Sequence, residues 1–135
     1  MKAFRVALVL ILVMACAAFA AEKEKRTVTA AIGPDGVQRV DVEGGSYYFD
    51  PYRIIVKKGV PVELKAKKVT LISHDIVINA PEAGINVKEN LSKEPKVIKF
   101  TPTKTGKYPV YCSKKPPFFK SHKERGMEGV IEVVE

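Results

Sequence analysis

Cys112, His122, Met127 and His74 are the residues of this chain whose types and order suit a single chemistry. His122 follows Cys112 by ten positions and Met127 follows by five more, while His74 lies upstream in an apolar stretch. A thiolate, two imidazoles and a thioether form the donor set that suits copper in a trigonal site with a weak axial sulfur. Taken singly, each has an ordinary alternative: a half-buried strand histidine, a core-filling methionine, an inert buried cysteine. Together they make one ordered set, and the chain has only two histidines to offer.

The thiol count sharpens this. The two cysteines are Cys16 and Cys112, and Cys16 falls in a segment that reads as an export signal. Lys2 and Arg5 form a positive n-region, residues 6–14 are apolar, and Ala18-Phe19-Ala20 is a cleavage pattern, which gives a signal peptide over residues 1–20. The apolar run is too short for a membrane span. Val13-Met14-Ala15-Cys16 also approximates a lipobox, in which Cys16 would carry a lipid anchor, so soluble release and anchoring both stand. Either way the domain is expected to be periplasmic or extracellular, and Cys112 is left with no disulfide partner in it.

Residues 21–135 are expected to form one domain, with a charged, flexible leader and the first strands in 21–45 and the metal-binding region in 46–135. The formal net charge of +8 comes from 23 basic and 15 acidic residues. The lysines are scattered among strand-like stretches with no accompanying nucleic-acid motif, so nucleic acid is excluded as a partner and a solvated surface is expected.

The elements that must position the donors read as strands. Residues 27–32, 37–42, 53–57, 60–66, 69–79, 96–101, 108–112 and 129–134 carry β-branched or alternating apolar patterns between Gly and Pro turns. The fold class is all-β: a Greek-key antiparallel β-sandwich of about eight strands. Residues 80–95 read as a long excursion with a short helical turn near 87–91, and Pro109 requires its strand to be at an edge or bulged.

Phe49-x-Pro51-x-x-Ile54-x-Val56-x-x-Gly59-x-Pro61-Val62, Ser73-His74-Asp75 and Gly106-Lys107-Tyr108-Pro109-Val110-Tyr111-Cys112, closed by Cys112-x9-His122-x4-Met127, together resemble the cupredoxin family of type 1 blue copper proteins. The resemblance spans residues 47–134 and implies a single plastocyanin- or azurin-like domain. It further implies one copper ion per chain, bound by the δ nitrogens of His74 and His122 and by Cys112, with Met127 axial and the two imidazoles brought from opposite sheets.

The sequence departs from that pattern in two places. Nine residues separate Cys112 from His122 where small blue copper proteins have two to four, which suggests a distorted or wetter site. Asp75 stands where the family commonly has an asparagine that locks the cysteine loop, and Glu124 and Glu128 leave a carboxylate axial donor open. The loop 113–121, with Phe118 and Phe119 among Lys114, Lys115, Lys120 and Lys123, is either a docking face or a cap on the core.

The resemblance implies a monomeric one-electron carrier, not an enzyme. Its partner would be a redox protein such as a cytochrome or terminal reductase, acidic at the docking face. The alternative is a copper-binding protein for trafficking or tolerance. A second catalytic copper would need further histidines, and a binuclear site a second loop cysteine.

Overall fold

The computed structural model describes residues 22–135, so the expected signal segment 1–20 and Cys16 lie outside the described residues. Eleven strands and one 3-10 turn follow in chain order: β1 Thr27–Thr29, β2 Ala31–Ile32, β3 Gln38–Gly44, β4 Phe49–Asp50, β5 Arg53–Lys57, β6 Val62–Lys68, β7 His74–Ala80, the turn Pro81–Ala83, β8 Ile85–Leu91, β9 Lys96–Phe100, β10 Gly106–Tyr111 and β11 Glu128–Val134.

They make two sheets. One has the order β1-β5-β11-β10-β7-β8; the other runs β2-β3-β6-β9, with β4 added on β3. Period-two alternation sets the inner faces. In β6, Val62, Leu64 and Ala66 are buried while Glu63, Lys65 and Lys67 point outward. These pack with Val42 of β3 against Ile54, Ile76, Ile78, Val110, Ile131 and Val133 of the larger sheet, giving one sandwich core.

The all-β sandwich is the expected class, but the pairing is mixed. β1 and β11 both run parallel to β5, and β3 runs parallel to β6. Of the N-terminal stretch, β1 joins the larger sheet and β2 and β3 the smaller one. The leader is also tied down, contrary to expectation: Lys23 and Arg26 pair with Asp50, and the Arg26 carbonyl accepts from the backbone N–H groups of Tyr52 and Arg53.

Two further expectations are corrected. Residues 85–91 are a full strand paired along β7 from His74↔Leu91 to Ala80↔Ile85, and the helical turn is instead at Pro81–Ala83, closed by Gly84 at φ 72°. Asn86, Lys88 and Asn90, which read as loop residues, are the outward members of that strand's alternation. Residues 69–73 are a connection, so Leu71 and Ile72 are solvent-facing instead of part of β7. Pro109 behaves as expected: β10 meets β7 only at Tyr111↔Val77, so no ladder bond is demanded of the proline on that side.

A buried polar staple ties the start of β3 to the end of β5 and to the turn that follows it. Gln38, fully buried, donates from Nε2 to the carbonyls of Lys57 (2.8 Å) and Val60 (3.0 Å) and accepts the Lys57 N–H at 2.8 Å.

Candidate metal centre

His74 opens β7, Cys112 follows the last residue of β10, and His122 and Met127 lie in the connection from β10 to β11. Because β7 and β10 are neighbours in one sheet and side chains alternate, His74 and Cys112 share the inner face while Asp75 and Ser113 share the other face, where Asp75 is itself buried. Both imidazoles thus belong to the six-stranded sheet and its loop, which corrects the expectation that they come from opposite sheets.

The connection after Cys112 is shaped by local hydrogen bonds. The His122 N–H donates to the Lys114 carbonyl at 2.9 Å, which closes the nine-residue loop back on its own start. A single helical turn follows, its Glu124 N–H donating to the Ser121 hydroxyl at 3.1 Å, and Gly126 at φ 101° reverses the chain. The Met127 N–H then donates to the His122 carbonyl (3.0 Å) and the Cys112 N–H to the Met127 carbonyl (3.2 Å). The backbone of all three loop donors is therefore one hydrogen-bonded unit.

The donor atoms converge. The Nδ1 atoms of His74 and His122 lie 3.1 Å apart, and Cys112 Sγ is 3.9 Å from the first and 3.6 Å from the second. A point equidistant from all three lies about 2.1 Å from each, close to the usual length of about 2.0–2.3 Å for metal–imidazole and metal–thiolate bonds. The triangle thus fits one metal ion without rearrangement. None of His74, Cys112, His122 and Met127 is more than 2% exposed, so the long loop does not wet the site. Glu124 and Glu128 face solvent, whereas Met127 is fully buried.

Gly44 makes room for that methionine. A Cβ at Gly44 would lie 3.3 Å from the Met127 methyl and 3.0 Å from Leu91 Cδ1.

The cupredoxin-like domain family matches residues 4–127. The chain belongs to that family. Solved structures agree with the fold. The metal-binding domain of the Streptococcus pneumoniae Cu(I)-exporting P-type ATPase CopA, solved with Cu(I), is 23% identical with a TM-score of 0.63, over 83% of this chain and 99% of that one. Dithionite-reduced auracyanin from Roseiflexus castenholzii is 21% identical with a TM-score of 0.52, over 72% and 97%. The periplasmic domain of cytochrome oxidase subunit II (CoxB) of Bradyrhizobium japonicum is 17% identical with a TM-score of 0.56, over 72% and 83%. No curated protein matches the chain in sequence.

In this cupredoxin the electrostatics hold the imidazoles neutral. Burial pushes His74 from the ordinary 6.5 down to about 4, assisted by His122 and Lys68 and opposed by Asp75 and the Gly45 backbone. Burial, then the charge of Arg125, lowers His122 as well. Burial raises the Cys112 thiol. A neutral imidazole offers a lone pair, and two such nitrogens 3.1 Å apart beside a thiol are arranged to share one acceptor of electron pairs.

Asp75 does the locking that the family resemblance assigns to asparagine. Its Oδ1 accepts the Ser113 N–H at 2.6 Å and its Oδ2 accepts the Ser113 hydroxyl. Burial opposes its ionisation, yet these bonds and Lys114 leave its carboxyl below the ordinary value. The residue that sequence reading missed is Tyr47, whose ring stands edge-on to both imidazoles. The only sequence signal there was an aromatic run after Gly44-Gly45, which marked a turn and no role.

Proposed function

We propose that this cupredoxin is an exported mononuclear copper protein that carries single electrons between redox proteins and catalyses no reaction of its own. The observation that carries the reading is the buried triangle of His74 Nδ1, His122 Nδ1 and Cys112 Sγ. Met127 would complete the donor set with a weakly binding thioether. A copper ion held there would supply a one-electron couple.

The protein's part is to keep the donors still. A site whose geometry is set before the metal arrives minimises rearrangement on electron transfer, and here the Asp75–Ser113 lock and the loop's backbone bonds set it. Burial of the donors keeps water out of the coordination sphere. His122 reaches closest to a surface groove of about 340 Å3 that it lines with Ile72, Ser73, Lys114, Lys115 and Pro116, which makes it the electron port.

Phe118 is 105% exposed and Phe119 63% exposed, so the aromatic pair caps no core and is free for partner contact. With Leu71 it supplies apolar surface at the site's end of the molecule, among Lys114, Lys115, Lys120 and Lys123. An acidic redox protein, such as a cytochrome or a terminal oxidase, fits that surface, and the likeness to an oxidase subunit domain supports this class.

Copper trafficking or tolerance is the second reading, favoured by the likeness to a domain solved with Cu(I). One experiment separates them. Addition of Cu(II) to the mature protein gives an intense visible thiolate-to-copper band and a reversible one-electron wave, both lost in Cys112→Ala. A preference for Cu(I) with ready transfer to a chelator and no reversible wave overturns the carrier reading and supports trafficking.

A further inference from the structure

Both imidazoles hang from the six-stranded sheet and its loop, so something else must close the opposite side of the site. Tyr47, in the connection from β3 to β4, does so. Its ring meets His122 edge-on at 5.1 Å between centroids and 77°, and His74 at 6.5 Å and 83°. The Arg125 guanidinium lies over the same ring, 4.7 Å from its centroid.

Beyond this ring lies a cavity of about 500 Å3, open to solvent, lined by Tyr47 and Arg125 together with Tyr48, Tyr52, Gly126 and Glu128 among others. None of His74, Cys112 and His122 lines it. The tyrosine therefore stands between this open cavity and the donor atoms.

The backbone at this position argues that the ring is kept for a purpose. Tyr47 sits at φ 65°, in the left-handed region that glycine occupies freely and that disfavours a bulky side chain by about 1–2 kcal/mol. Gly44 and Gly45 stand three and two positions before it, with Ser46 between, so the same turn uses glycine nearby but places an aromatic side chain at the strained position.

We propose that Tyr47, clamped by Arg125, is a positioning residue that fixes both imidazoles and closes the metal site against the cavity behind it. The proposal rests on the copper-site reading. It makes the site one-sided: the groove beside His122 is the working face, and the cavity behind Tyr47 is a shut back entrance. Each edge-to-face contact restrains one imidazole, and Arg125 holds the ring against swinging into the cavity.

The test compares copper-loaded wild type with Tyr47→Gly, Tyr47→Phe and Arg125→Gln. Glycine relieves the backbone while removing the ring, so folding is preserved and a site effect is not confused with unfolding. In Tyr47→Gly, millimolar azide or imidazole shifts the visible band and the copper EPR signal, and Cu(I) passes to bicinchoninate about tenfold faster than from wild type, the size expected from losing two aromatic contacts. Tyr47→Phe behaves as wild type, and Arg125→Gln lies between.

A Tyr47→Gly protein that resists azide and releases Cu(I) at the wild-type rate overturns the proposal, as does a Tyr47→Phe protein as leaky as the glycine variant. If wild type takes up no copper, the site reading falls and the partition is judged on the apoproteins by NMR. There, contacts from the ring of residue 47 to the Cε1 protons of both imidazoles in wild type and Tyr47→Phe sustain the partition, and their absence refutes it.

Discussion

At the scale of single residues, the metal centre is set by neutral imidazoles. His74 is held near 4 against an ordinary 6.5, chiefly by burial, so the unfolded chain binds a proton between those values that the folded chain refuses. Stability of the apoprotein is therefore whole above pH 6.5 and falls as the pH drops toward 4, by an amount on the order of 2 kcal/mol from this group. Chemical denaturation of apoprotein at pH 7 and pH 4.5 measures the loss, and His74→Gln removes that share of it. The candidate donors were legible in the sequence, because thiolate, imidazoles and thioether are rare types in a fixed order. Tyr47 was not, since an aromatic residue beside a turn has many uses and only the three-dimensional approach of its ring to His74 and His122 distinguishes this one.

At the scale of elements, strand ends aim the donors and small residues leave the room. Gly44, the last residue of β3, belongs to the sheet that supplies no donor, yet a methyl there would press on the Met127 methyl and on Leu91. Gly44→Ala is expected to lose about 1–2 kcal/mol through overpacking and to alter the intensity ratio of the two main visible bands by displacing Met127. Gly36→Ala is the control: Gly36 sits at φ 76° with nothing within 4 Å, so it loses stability through strain alone and leaves the spectrum unchanged. Gln38→Leu leaves the Lys57 N–H and the Lys57 and Val60 carbonyls without their partner and is expected to lower stability by about 2–3 kcal/mol, read from denaturant midpoints. Strand positions were legible because alternation marks them. The parallel pairings were not, since periodicity fixes which face a residue occupies and says nothing of its neighbour's direction; β8 was hidden because Asn86, Lys88 and Asn90, its outward members, resemble loop composition.

At the scale of the whole molecule, Lys115 and Lys120 and the exposed Phe118 and Phe119 share the connection that carries His122. Lys114 keeps its charge but donates from Nζ to Asn90 Oδ1 at 2.9 Å across the loop, so reversing it would also break a loop contact. Lys115 and Lys120 are unengaged among the described residues and stand on either side of the prolines and phenylalanines, so they are the charges to reverse. Steering by exposed charge acts on encounter and fades when the ionic strength shortens its reach, whereas apolar contact does not. Electron transfer from the copper-loaded Lys115→Glu/Lys120→Glu protein to an acidic cytochrome is therefore expected to be about tenfold slower than wild type at 10 mM salt and to converge on it above about 0.5 M. Phe118→Ser is expected to slow the reaction at every salt concentration. Stopped-flow rates across an ionic-strength series read both, and a double reversal whose rate tracks wild type at low salt removes the acidic partner from the reading while leaving the metal site intact.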